Sequence, residues 1–277
     1  MSLDHGQARA ALEQVLRQAA PLAVAVSGGV DSMTLASLAQ TLLGPASVLM
    51  VHATSPAVPP EATARVQAAA AAARWTLRVI DAGEFADPAY RANPVNRCFF
   101  CKINLYGAVA AATSWQIVSG ANMDDLGEYR PGLDAAREHA VRHPFVEAGY
   151  SKAAVRALAR ELGLGAIAEL PAAPCLSSRI ETGIPVEPDV LRFVHGVERL
   201  VGDRLGAGTG ARRAVRCRVR AGGVVVELDP ESLARLDADA RGELGRHILA
   251  AAPPNLAGQP LAFEPYRTGS AFLVAGR

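Results

Sequence analysis

The chain has too few cysteines, too little net charge and no hydrophobic run long enough for several common classes of protein. Four cysteines in 277 residues exclude a disulfide-rich scaffold, so the cysteines are expected to be thiols, metal ligands or nucleophiles. The net charge of +1 provides no global basic field, so we expect no nucleic-acid partner. The apolar run 22–26 is far too short to cross a membrane, and the polar N-terminus has no signal-peptide core. We therefore expect a cytoplasmic protein without membrane association.

Short apolar runs alternate with helical stretches through the first half of the sequence. The runs are predicted to form buried strands and comprise residues 22–26, 47–52, 76–80 and 116–119. The stretches between them are predicted to form helices and comprise residues 32–43, 60–74 and 97–112. This alternation is typical of an α/β fold in which a parallel sheet carries helices on both faces. Ligands of such sheets bind outside the carboxyl ends of the strands, so residues that follow a strand are candidates for a site.

The pattern changes at a proline-rich segment, residues 170–188, which is predicted to be a loop or linker. The last helix predicted before this loop covers residues 151–162, and Ser151 is its expected N-cap. We therefore expect two domains. The first comprises residues 1–170, and the second, a smaller α+β domain, comprises residues 171–277.

A glycine-rich turn joins the first predicted strand to the helix that follows it. The turn, Ser27-Gly28-Gly29-Val30-Asp31-Ser32, combines two glycines that let the backbone approach an anion with two hydroxyl groups and a helix N-terminus. Asp31 would repel a bare phosphate, so we expect it to act near a bound Mg²⁺. The turn lacks the lysine of the kinase-type P-loop, G-x-x-x-x-G-K-[ST]. It resembles the SGGxDS loop of the ATP pyrophosphatases, which cleave ATP between the α- and β-phosphates and leave an adenylate.

Residues after two other predicted strands are assigned to the same ATP site. Ser55 follows the second strand, where members of that superfamily contact the adenine and ribose, and Gly120 follows the fourth strand. Asp125 is a candidate Mg²⁺ ligand together with Asp31. Arg130 could bind a phosphate or a carboxylate through two parallel hydrogen bonds, and we assign it to the substrate.

The cysteines at positions 98 and 101 form a C-x-x-C pair that admits several interpretations. Such a pair can be redox-active, half of a zinc site or part of a set of cluster ligands. The absence of a second C-x-x-C from the sequence weakens the zinc interpretation. Cys175 lies far downstream on a loop between prolines and near Arg179, which favours a reactive thiolate.

Four longer segments resemble the LarE family, ATP-dependent sulfur transferases that help to build the nickel-pincer nucleotide of lactate racemase. The segments are NPVNRCFFCK from Asn93, SGANMDDLGEYRPG from Ser119, PAAPCLSSRI from Pro171 and EPYRTGS from Glu264. Together with the glycine-rich turn, these segments are spread from Ser27 to Ser270, which is essentially the whole length of the chain. The resemblance implies that the substrate is a pyridinium dicarboxylate mononucleotide. Its carboxylate would be adenylated by ATP, and sulfur would replace the AMP to give a thiocarboxylate.

The resemblance also implies that Cys175 handles the sulfur, by one of two routes. In one branch of the family the matching cysteine attacks the adenylate, gives up its own sulfur and ends as dehydroalanine. In another branch, cysteines matching Cys98, Cys101 and Cys175 hold a [4Fe–4S] cluster whose open iron carries the sulfur. The chain has all three cysteines, so both routes stay open. A sulfur-donor protein is a candidate partner.

The second predicted domain begins with a helix at residues 188–200 and continues with a hairpin. The hairpin strands, 212–220 and 224–228, flank the turn Ala221-Gly222-Gly223. Alternation along the first strand places four arginines on one face, Arg212, Arg216, Arg218 and Arg220. Cys217 lies on the opposite face and is expected to pack in the core.

The arginine face is predicted to bind the substrate. Several cations on one short strand repel one another unless an anion lies among them, so a mononucleotide phosphate is the expected occupant. Arg216 and Arg218 have the Arg-x-Arg spacing of the family and are the preferred contacts. Ser178 and Arg179, which follow Cys175 on its loop, complete the expected substrate site.

Three other functions would use parts of the same motifs. A tRNA sulfur transferase would need a basic RNA surface or an added RNA-binding module, against which the net charge argues. An amidotransferase or synthetase would use ammonia and leave the cysteines without a role. A non-enzymatic iron–sulfur or zinc module would not need the intact glycine-rich turn. We therefore predict an enzyme with a small-molecule mononucleotide substrate, and we expect a homo-oligomer.

Overall fold

A computed structural model describes residues 5–127, 130–206 and 214–271 of the chain. Within these ranges the strands are β1 (Leu22–Ala25), β2 (Val48–Thr54), β3 (Leu77–Asp81), β4 (Gln116–Val118), β5 (Val215–Arg220), β6 (Gly223–Leu228) and β7 (Leu261–Pro265). The helices are α1 (His5–Ala19), α2 (Val30–Leu43), α3 (Pro60–Ala73), α4 (Pro88–Arg91), α5 (Arg97–Ala112), α6 (Pro131–Glu138), α7 (Pro144–Glu147), α8 (Lys152–Glu161), α9 (Pro188–Arg204), α10 (Pro230–Ala234) and α11 (Ala238–Ala250). Short 3-10 helices lie between them.

These elements belong to two compact units. The first unit comprises the described residues up to Asp87 and the segment from Asn96 to Ala173. The second comprises Pro88–Val95 and the described residues from Pro174 onward. The short segment around α4 therefore belongs to the second unit, although no sequence pattern indicated it. Its buried Asn93 side chain donates hydrogen bonds to the carbonyl oxygens of Glu181, at 2.8 Å, and Ile184, at 2.9 Å.

The first unit contains a four-stranded parallel sheet in the order β3-β2-β1-β4. Successive side chains of β1 point to opposite faces, as the pleat of a strand requires. Val24 lies in a core that includes side chains of α1, α2 and α8, whereas Ala23 lies in a core that includes Tyr106 of α5 and Ala136 of α6. Helices cover both faces of the sheet, which confirms the predicted α/β fold.

Most elements of the first unit match the predicted ones, with differences of one or two residues at their ends. The helix after the glycine-rich turn begins at Val30 instead of residue 32. Ser151 is the N-cap of α8, because its Oγ accepts a hydrogen bond from the backbone nitrogen of Ala154 at 3.2 Å. Such a cap stabilises a helix by about 1 kcal/mol. The helices α6 and α7 were not predicted, because each is too short for a clear periodic pattern.

The strand order reverses at β1, which determines where a ligand can bind. β1 pairs with β2 on one side and with β4 on the other, so that Leu22 aligns with both Val48 and Gln116. In open α/β sheets the ligand crevice lies outside the carboxyl ends of the strands at such a reversal. The loops after β1 and β4 therefore form the candidate site.

The second unit is built on a three-stranded sheet in the order β5-β6-β7. β5 and β6 form the predicted antiparallel hairpin, and β7 pairs with β6 in parallel. The first strand of the hairpin is described from Val215 onward, so Arg212 of the predicted arginine face lies outside the described residues. β7 and α11 were not predicted. Among the helices described in both units, none is long and apolar enough to cross a membrane.

Candidate active site

The loop after β1, residues 27–32, is held open by its own hydroxyl groups. Ser32 Oγ accepts a hydrogen bond from the backbone nitrogen of Ser27 at 3.1 Å and donates one to the carbonyl oxygen of Gly29 at 3.2 Å. The Ser27 hydroxyl lies 3.1 Å from the Ser32 hydroxyl. The N-cap residue of α2 is Gly29, which has no side chain to cap the backbone N–H groups of the first turn, so these groups can serve a ligand. These features form the cradle that a phosphate group requires.

The path of this loop requires glycine at position 28. Gly28 has φ = +80°, a conformation that other residues rarely adopt. A β-carbon there would also lie 2.7 Å from the carbonyl oxygen of Ala62, near the start of α3. From the same helix, Arg65 Nη1 donates a hydrogen bond to the carbonyl oxygen of Gly28 at 2.7 Å. No local sequence pattern predicts this role of Arg65, because it depends on the packing of α3 against the loop.

The end of β2 also supports the loop. His52 is buried, with Nδ1 at 2.7 Å from the carbonyl oxygen of Val26 and Nε2 at 2.9 Å from Thr63 Oγ1. It is therefore a packing residue that ties the end of β2 to the loop and to α3. Ser55 Oγ accepts a hydrogen bond from the backbone nitrogen of Ala57 at 3.2 Å and so shapes the turn after β2. The nucleotide contact assigned to Ser55 stays a prediction.

Gly120, at the end of β4, lies directly against the phosphate loop. A β-carbon at this position would lie 2.8 Å from the backbone nitrogen of Ser32 and 2.9 Å from the carbonyl carbon of Asp31. Only glycine permits so close an approach of two backbones. The structure thus brings together the ends of β1 and β4, as predicted from the strand pattern.

Two acidic residues meet around a buried amide at this edge of the sheet. The side chain of Asn122, which is 2% exposed, donates a hydrogen bond to Asp31 Oδ1 at 3.4 Å. Its backbone nitrogen donates to Asp125 Oδ2 at 3.0 Å. Each acid also has a cationic partner, since Asp31 forms an ion pair with Lys152 and Asp125 Oδ1 lies 3.0 Å from Arg130 Nη2. The sequence analysis missed Lys152.

The two carboxylates fit a magnesium ion that arrives with ATP. Magnesium at nucleotide sites is held by one or two carboxylates, with substrate phosphates and water completing its ligands. Asp31 and Asp125 would supply such carboxylates, and the ion would neutralise phosphate charge. In the part of the chain that the structure describes, no three His, Cys, Asp or Glu side chains form a group that could hold a metal ion. The protein therefore offers part of a magnesium site and not a complete one.

A histidine that the sequence analysis did not single out lies beside the same strand end. His143 Nδ1 is 2.8 Å from the hydroxyl oxygen of Ser119. Burial lowers the pKa of His143, while the negative charges of Glu147 and Asp125 act in the opposite direction. The imidazole is therefore neutral near pH 7. Its position depends on the turn after α6, which brings residue 143 back to β4.

The C-x-x-C pair begins α5, in the first unit. Cys98 is exposed and Cys101 is partly buried, and their spacing of three residues places them on one face of the helix. Lys102, the next residue, has its ammonium group 5.8 Å from the ring centre of Tyr106. A β-carbon at Gly132, on α6, would lie 3.0 Å from Lys102 Cγ, so a larger residue would require the Lys102 side chain to shift where α6 packs against α5.

Cys175 lies in the second unit, at the start of the 3-10 turn Leu176–Arg179, and is partly buried. Arg179 holds its backbone, because Nη1 donates hydrogen bonds to the carbonyl oxygens of Pro174, at 2.7 Å, and Cys175, at 3.2 Å. The other edge of the guanidinium binds Glu198, with Nε 2.9 Å from Oε1. Only 5% of the Arg179 side chain is exposed. Arg179 thus supports the cysteine loop from inside the unit, a role that the sequence did not indicate.

Other buried groups hold the same loop. Arg218 Nη1 donates a hydrogen bond to the carbonyl oxygen of Ser178 at 3.0 Å, and Arg179 Nη1 donates to Ser178 Oγ at 2.9 Å. The Tyr90 hydroxyl lies 2.7 Å from Ser177 Oγ. The backbone around Cys175 is therefore held by two arginines and a tyrosine that come from separate parts of the sequence.

The arginines of β5 are neutralised by carboxylates on the neighbouring strands. Arg218 Nε is 3.0 Å from Glu227 Oε2, and Glu227 is fully buried. Arg220 Nη2 is 2.6 Å from Glu227 Oε1, and its Nη1 is 3.0 Å from Glu264 Oε2. The argument that this strand needs an external anion is therefore wrong for Arg218 and Arg220. Strand pairing, which the sequence did not show, brings Glu227 and Glu264 beside the arginines.

Arg216 differs from these two neighbours. Among the described residues, no carboxylate forms an ion pair with it. Burial lowers the pKa of Arg216, and the nearby positive charge of Arg179 lowers it further, while Glu198 and Tyr266 act in the opposite direction. Its Nη1 donates a hydrogen bond to the carbonyl oxygen of Val215 at 2.8 Å. A partly buried guanidinium in this environment is a suitable ligand for an anion, so Arg216 remains the best substrate candidate on the strand.

The fourth cysteine, Cys217, packs in the core of the second unit as predicted. Its side chain is fully buried, and this burial raises the pKa of the thiol. Cys217 is therefore kept protonated and inert.

The predicted [4Fe–4S] cluster would need cysteines from both units. Cys98 and Cys101 belong to the first unit and Cys175 to the second. The described residues contain no group of three potential ligands among His, Cys, Asp and Glu. The cluster route therefore stays a prediction.

Comparison with known proteins places this site in a family. The model of the asparagine synthase family matches residues 7–96, which include the glycine-rich loop. An uncharacterized protein of Synechocystis sp. is 37% identical over 229 residues, which cover 80% of this chain and 81% of that protein. The pyridinium-3,5-bisthiocarboxylic acid mononucleotide synthase of Lactiplantibacillus plantarum is 28% identical over 195 residues, or 69% of this chain and 70% of the synthase. The chain belongs to the LarE family of PP-loop ATP pyrophosphatases.

Membership of the LarE family agrees with the geometry of the phosphate loop. The first unit is a PP-loop domain of the ATP-utilising type, and the family is one of ATP-dependent sulfur transferases. An uncharacterized protein of Methanocaldococcus jannaschii is more distant, at 25% identity over 182 residues, which cover 64% of this chain and 68% of that protein. The predicted resemblance to LarE proteins is thereby confirmed.

Proposed function

We propose that this LarE protein adenylates a carboxylate of a pyridinium dicarboxylate mononucleotide and converts it to a thiocarboxylate. The observation that carries the proposal is the combination, in one chain, of an intact phosphate loop and a supported loop whose cysteine is only partly buried. The name of the L. plantarum relative supports the choice of substrate. We assign ATP chemistry to residues 1–170 and substrate binding and sulfur transfer to residues 171–277.

The first step forms the adenylate. A carboxylate oxygen of the substrate attacks the α-phosphorus of ATP, and pyrophosphate leaves. The phosphate loop binds the departing phosphates through the N–H groups of α2 and the hydroxyls of Ser27 and Ser32. A bound magnesium ion supplies charge neutralisation on the phosphates. Ser55 would contact the nucleoside, and Arg130, beside Asp125, would contact the substrate.

The second step transfers sulfur. The Cys175 thiolate attacks the carbonyl carbon of the adenylate and expels AMP, which leaves a thioester between the substrate and the enzyme. Loss of the Cys175 α-proton and cleavage of its Cβ–S bond then release the thiocarboxylate and leave dehydroalanine at position 175. Arg179 orients the thiol through the backbone of the loop. Ser178 and Arg216 would bind the substrate, with the phosphate at Arg216.

Mass spectrometry of the protein after turnover tests this proposal. With ATP, Mg²⁺ and the pyridinium dicarboxylate mononucleotide, we expect substrate-dependent pyrophosphate release, a thiocarboxylate product and the loss of one H₂S from the peptide that contains Cys175. Pyrophosphate release that does not respond to the mononucleotide would contradict the proposal.

Two cysteine variants distinguish sulfur that comes from Cys175 itself from sulfur that is carried by a cluster. Cys175→Ser should still form the adenylate and pyrophosphate but no thiocarboxylate. Cys98→Ala should retain sulfur transfer, because the sacrificial route uses only the sulfur of Cys175. If Cys98→Ala abolishes transfer and Cys175 keeps its mass over several turnovers, the sulfur comes from a cluster instead.

A further inference from the structure

An aromatic ring lies beside Arg216 at one end of the small sheet. Tyr266 follows β7, and its ring centre is 6.0 Å from the Cζ atom of Arg216. The backbone nitrogen of Tyr266 donates a hydrogen bond to the carbonyl oxygen of Leu228 at 2.7 Å, so the pairing of β7 with β6 continues one residue past the strand. Because Leu228 is also paired with Val215, Tyr266 lies at the end of the sheet where β5 begins. Both Tyr266 and Arg216 are partly exposed and can therefore meet a ligand.

The segment that contains Tyr266 is connected to the cysteine loop by one guanidinium group. Arg218 Nη1 donates a hydrogen bond to the carbonyl oxygen of Ser178 at 3.0 Å, and its Nη2 donates one to the carbonyl oxygen of Arg267 at 3.4 Å. Ser178 is on the loop that begins at Cys175, and Arg267 directly follows Tyr266 in the chain. The aromatic ring and the cysteine loop are thus held by the same buried arginine within the second unit.

The glutamates near Arg216 are already bound to other arginines. Glu198 forms an ion pair with Arg179, and Glu227 forms ion pairs with the two arginines that follow Arg216 on the same face of β5. A cationic ring that enters this site therefore needs another counterpart for its charge. The π face of an aromatic side chain is negative and attracts a cation, more strongly where water is excluded. Tyr266 offers such a face, and a guanidinium already lies beside it.

We propose that Tyr266 binds the pyridinium ring of the substrate on its aromatic face and so selects a cationic ring over a neutral one. In the mononucleotide a single ribose joins the ring to the phosphate, which suits neighbouring side chains. With the phosphate on Arg216, the guanidinium charge is neutralised and no longer repels the pyridinium. The proposal rests on the proposed function, because it takes the pyridinium dicarboxylate mononucleotide as the substrate.

Calorimetry with two ligands tests the proposal. One ligand is the pyridinium dicarboxylate mononucleotide, and the other is its analogue in which a carbon replaces the ring nitrogen, so that the ring is neutral. Both are titrated with Mg²⁺ and an ATP analogue whose α–β bridge cannot be cleaved, which prevents turnover. Tyr266→Leu should reduce the preference for the cationic ligand, measured as the ratio of the two affinities, by about threefold to thirtyfold. Tyr266→Phe should keep the wild-type preference, because the aromatic face is retained.

Two further variants serve as controls. Phe263→Leu removes an aromatic ring from the same strand, β7. Phe263 alternates with Glu264, whose carboxylate lies 3.0 Å from Arg220, so its ring is on the face of the sheet opposite to the arginines. Phe263→Leu should therefore leave the preference unchanged. Arg216→Ala should weaken the binding of both ligands equally, because both carry the same phosphate.

Two results would overturn the proposal. If Tyr266→Leu keeps the wild-type preference, the residue does not recognise the charge of the ring. If a folded Tyr266→Leu protein loses the same affinity for both ligands, the tyrosine supports the shape of the site and not the recognition of a cation. In both cases the wild type still binds the mononucleotide, so the proposed function stands. A wild-type protein that binds neither ligand would instead refute the substrate, and both proposals with it.

Discussion

At the scale of single residues, the phosphate site depends on backbone geometry as much as on charge. Gly28 provides a positive φ, and Gly120 lets the end of β4 touch the start of α2. Both glycines lie where a β-carbon would meet backbone atoms at less than 3 Å. Backbone atoms cannot move aside as the end of a side chain can, so these positions do not tolerate substitution.

Gly28→Ala should therefore destroy nucleotide binding, whereas Gly149→Ala should not. Gly149 has a similar φ, +72°, but no atom lies within 4 Å of the place where its β-carbon would be. In both variants the strained backbone should lower the free energy of unfolding by about 1–3 kcal/mol. Only Gly28→Ala adds a collision with Ala62 that displaces the loop. Urea unfolding and ATP binding by calorimetry measure the two effects, and normal ATP affinity in Gly28→Ala would show that the collision is relieved without moving the cradle.

At the scale of elements, buried arginine–glutamate ion pairs stabilise the small sheet of the second unit and its surroundings. Glu227 on β6 lies between Arg218 and Arg220 of β5, and Glu198 on α9 binds Arg179 of the cysteine loop. Buried pairs of this kind are costly to break, because removing one partner leaves the other charged and buried. Arg216 has no such partner among the described residues. Two arginines two positions apart on one strand thus have different roles.

Arg218→Ala and Arg216→Ala should consequently have different effects, the first on stability and the second on substrate binding. Arg218→Ala leaves the buried Glu227 with Arg220 as its remaining cationic partner and should lower the unfolding free energy by about 1.5–3 kcal/mol. Arg216→Ala should change it by less than about 1 kcal/mol while raising the KM for the mononucleotide. Denaturant unfolding and steady-state kinetics distinguish the two. If Arg216→Ala leaves KM unchanged, Arg216 does not bind the substrate.

At the scale of the whole molecule, the described nucleotide site lies within one unit. The phosphate loop, Gly120, Asn122, Asp125 and Lys152 all belong to the first unit. The strand with Arg216 and the loop with Cys175 belong to the second. The residues proposed for ATP binding and those proposed for sulfur transfer thus belong to separate compact units.

Hydrogen exchange on adding Mg²⁺–ATP tests this division. Exchange should slow in the loop residues 27–32 and in Met123–Gly127, because bound phosphate and metal hold their backbone groups. Exchange in β5 and β6 should not change when ATP is added alone. Protection of the hairpin by ATP alone would assign part of the nucleotide site to the second unit.

The local features of this protein could be predicted from the sequence alone. The strand, the glycine-rich turn and the helix that follows are specified by periodicity and by the backbone freedom of glycine, which act within a few residues. The parallel sheet with helices on both faces followed from the alternation of those patterns, and the family from motifs such as the Cys175 loop. Gly120 and the glycine-rich turn were assigned to one ATP site, and in the structure their backbones are in contact.

Only the tertiary structure decided which charges meet. Lys152 reaches Asp31 from a helix more than a hundred residues later, and Glu227 neutralises β5 through strand pairing. The segment Pro88–Val95 belongs to the second unit through the buried hydrogen bonds of Asn93. No local pattern encodes these contacts, because an ion pair or a buried amide depends on where two distant backbones pack and not on neighbouring residues. The motifs that indicate ATP use and sulfur transfer could therefore be recognised in the sequence, whereas the partner of each charged group was decided by packing.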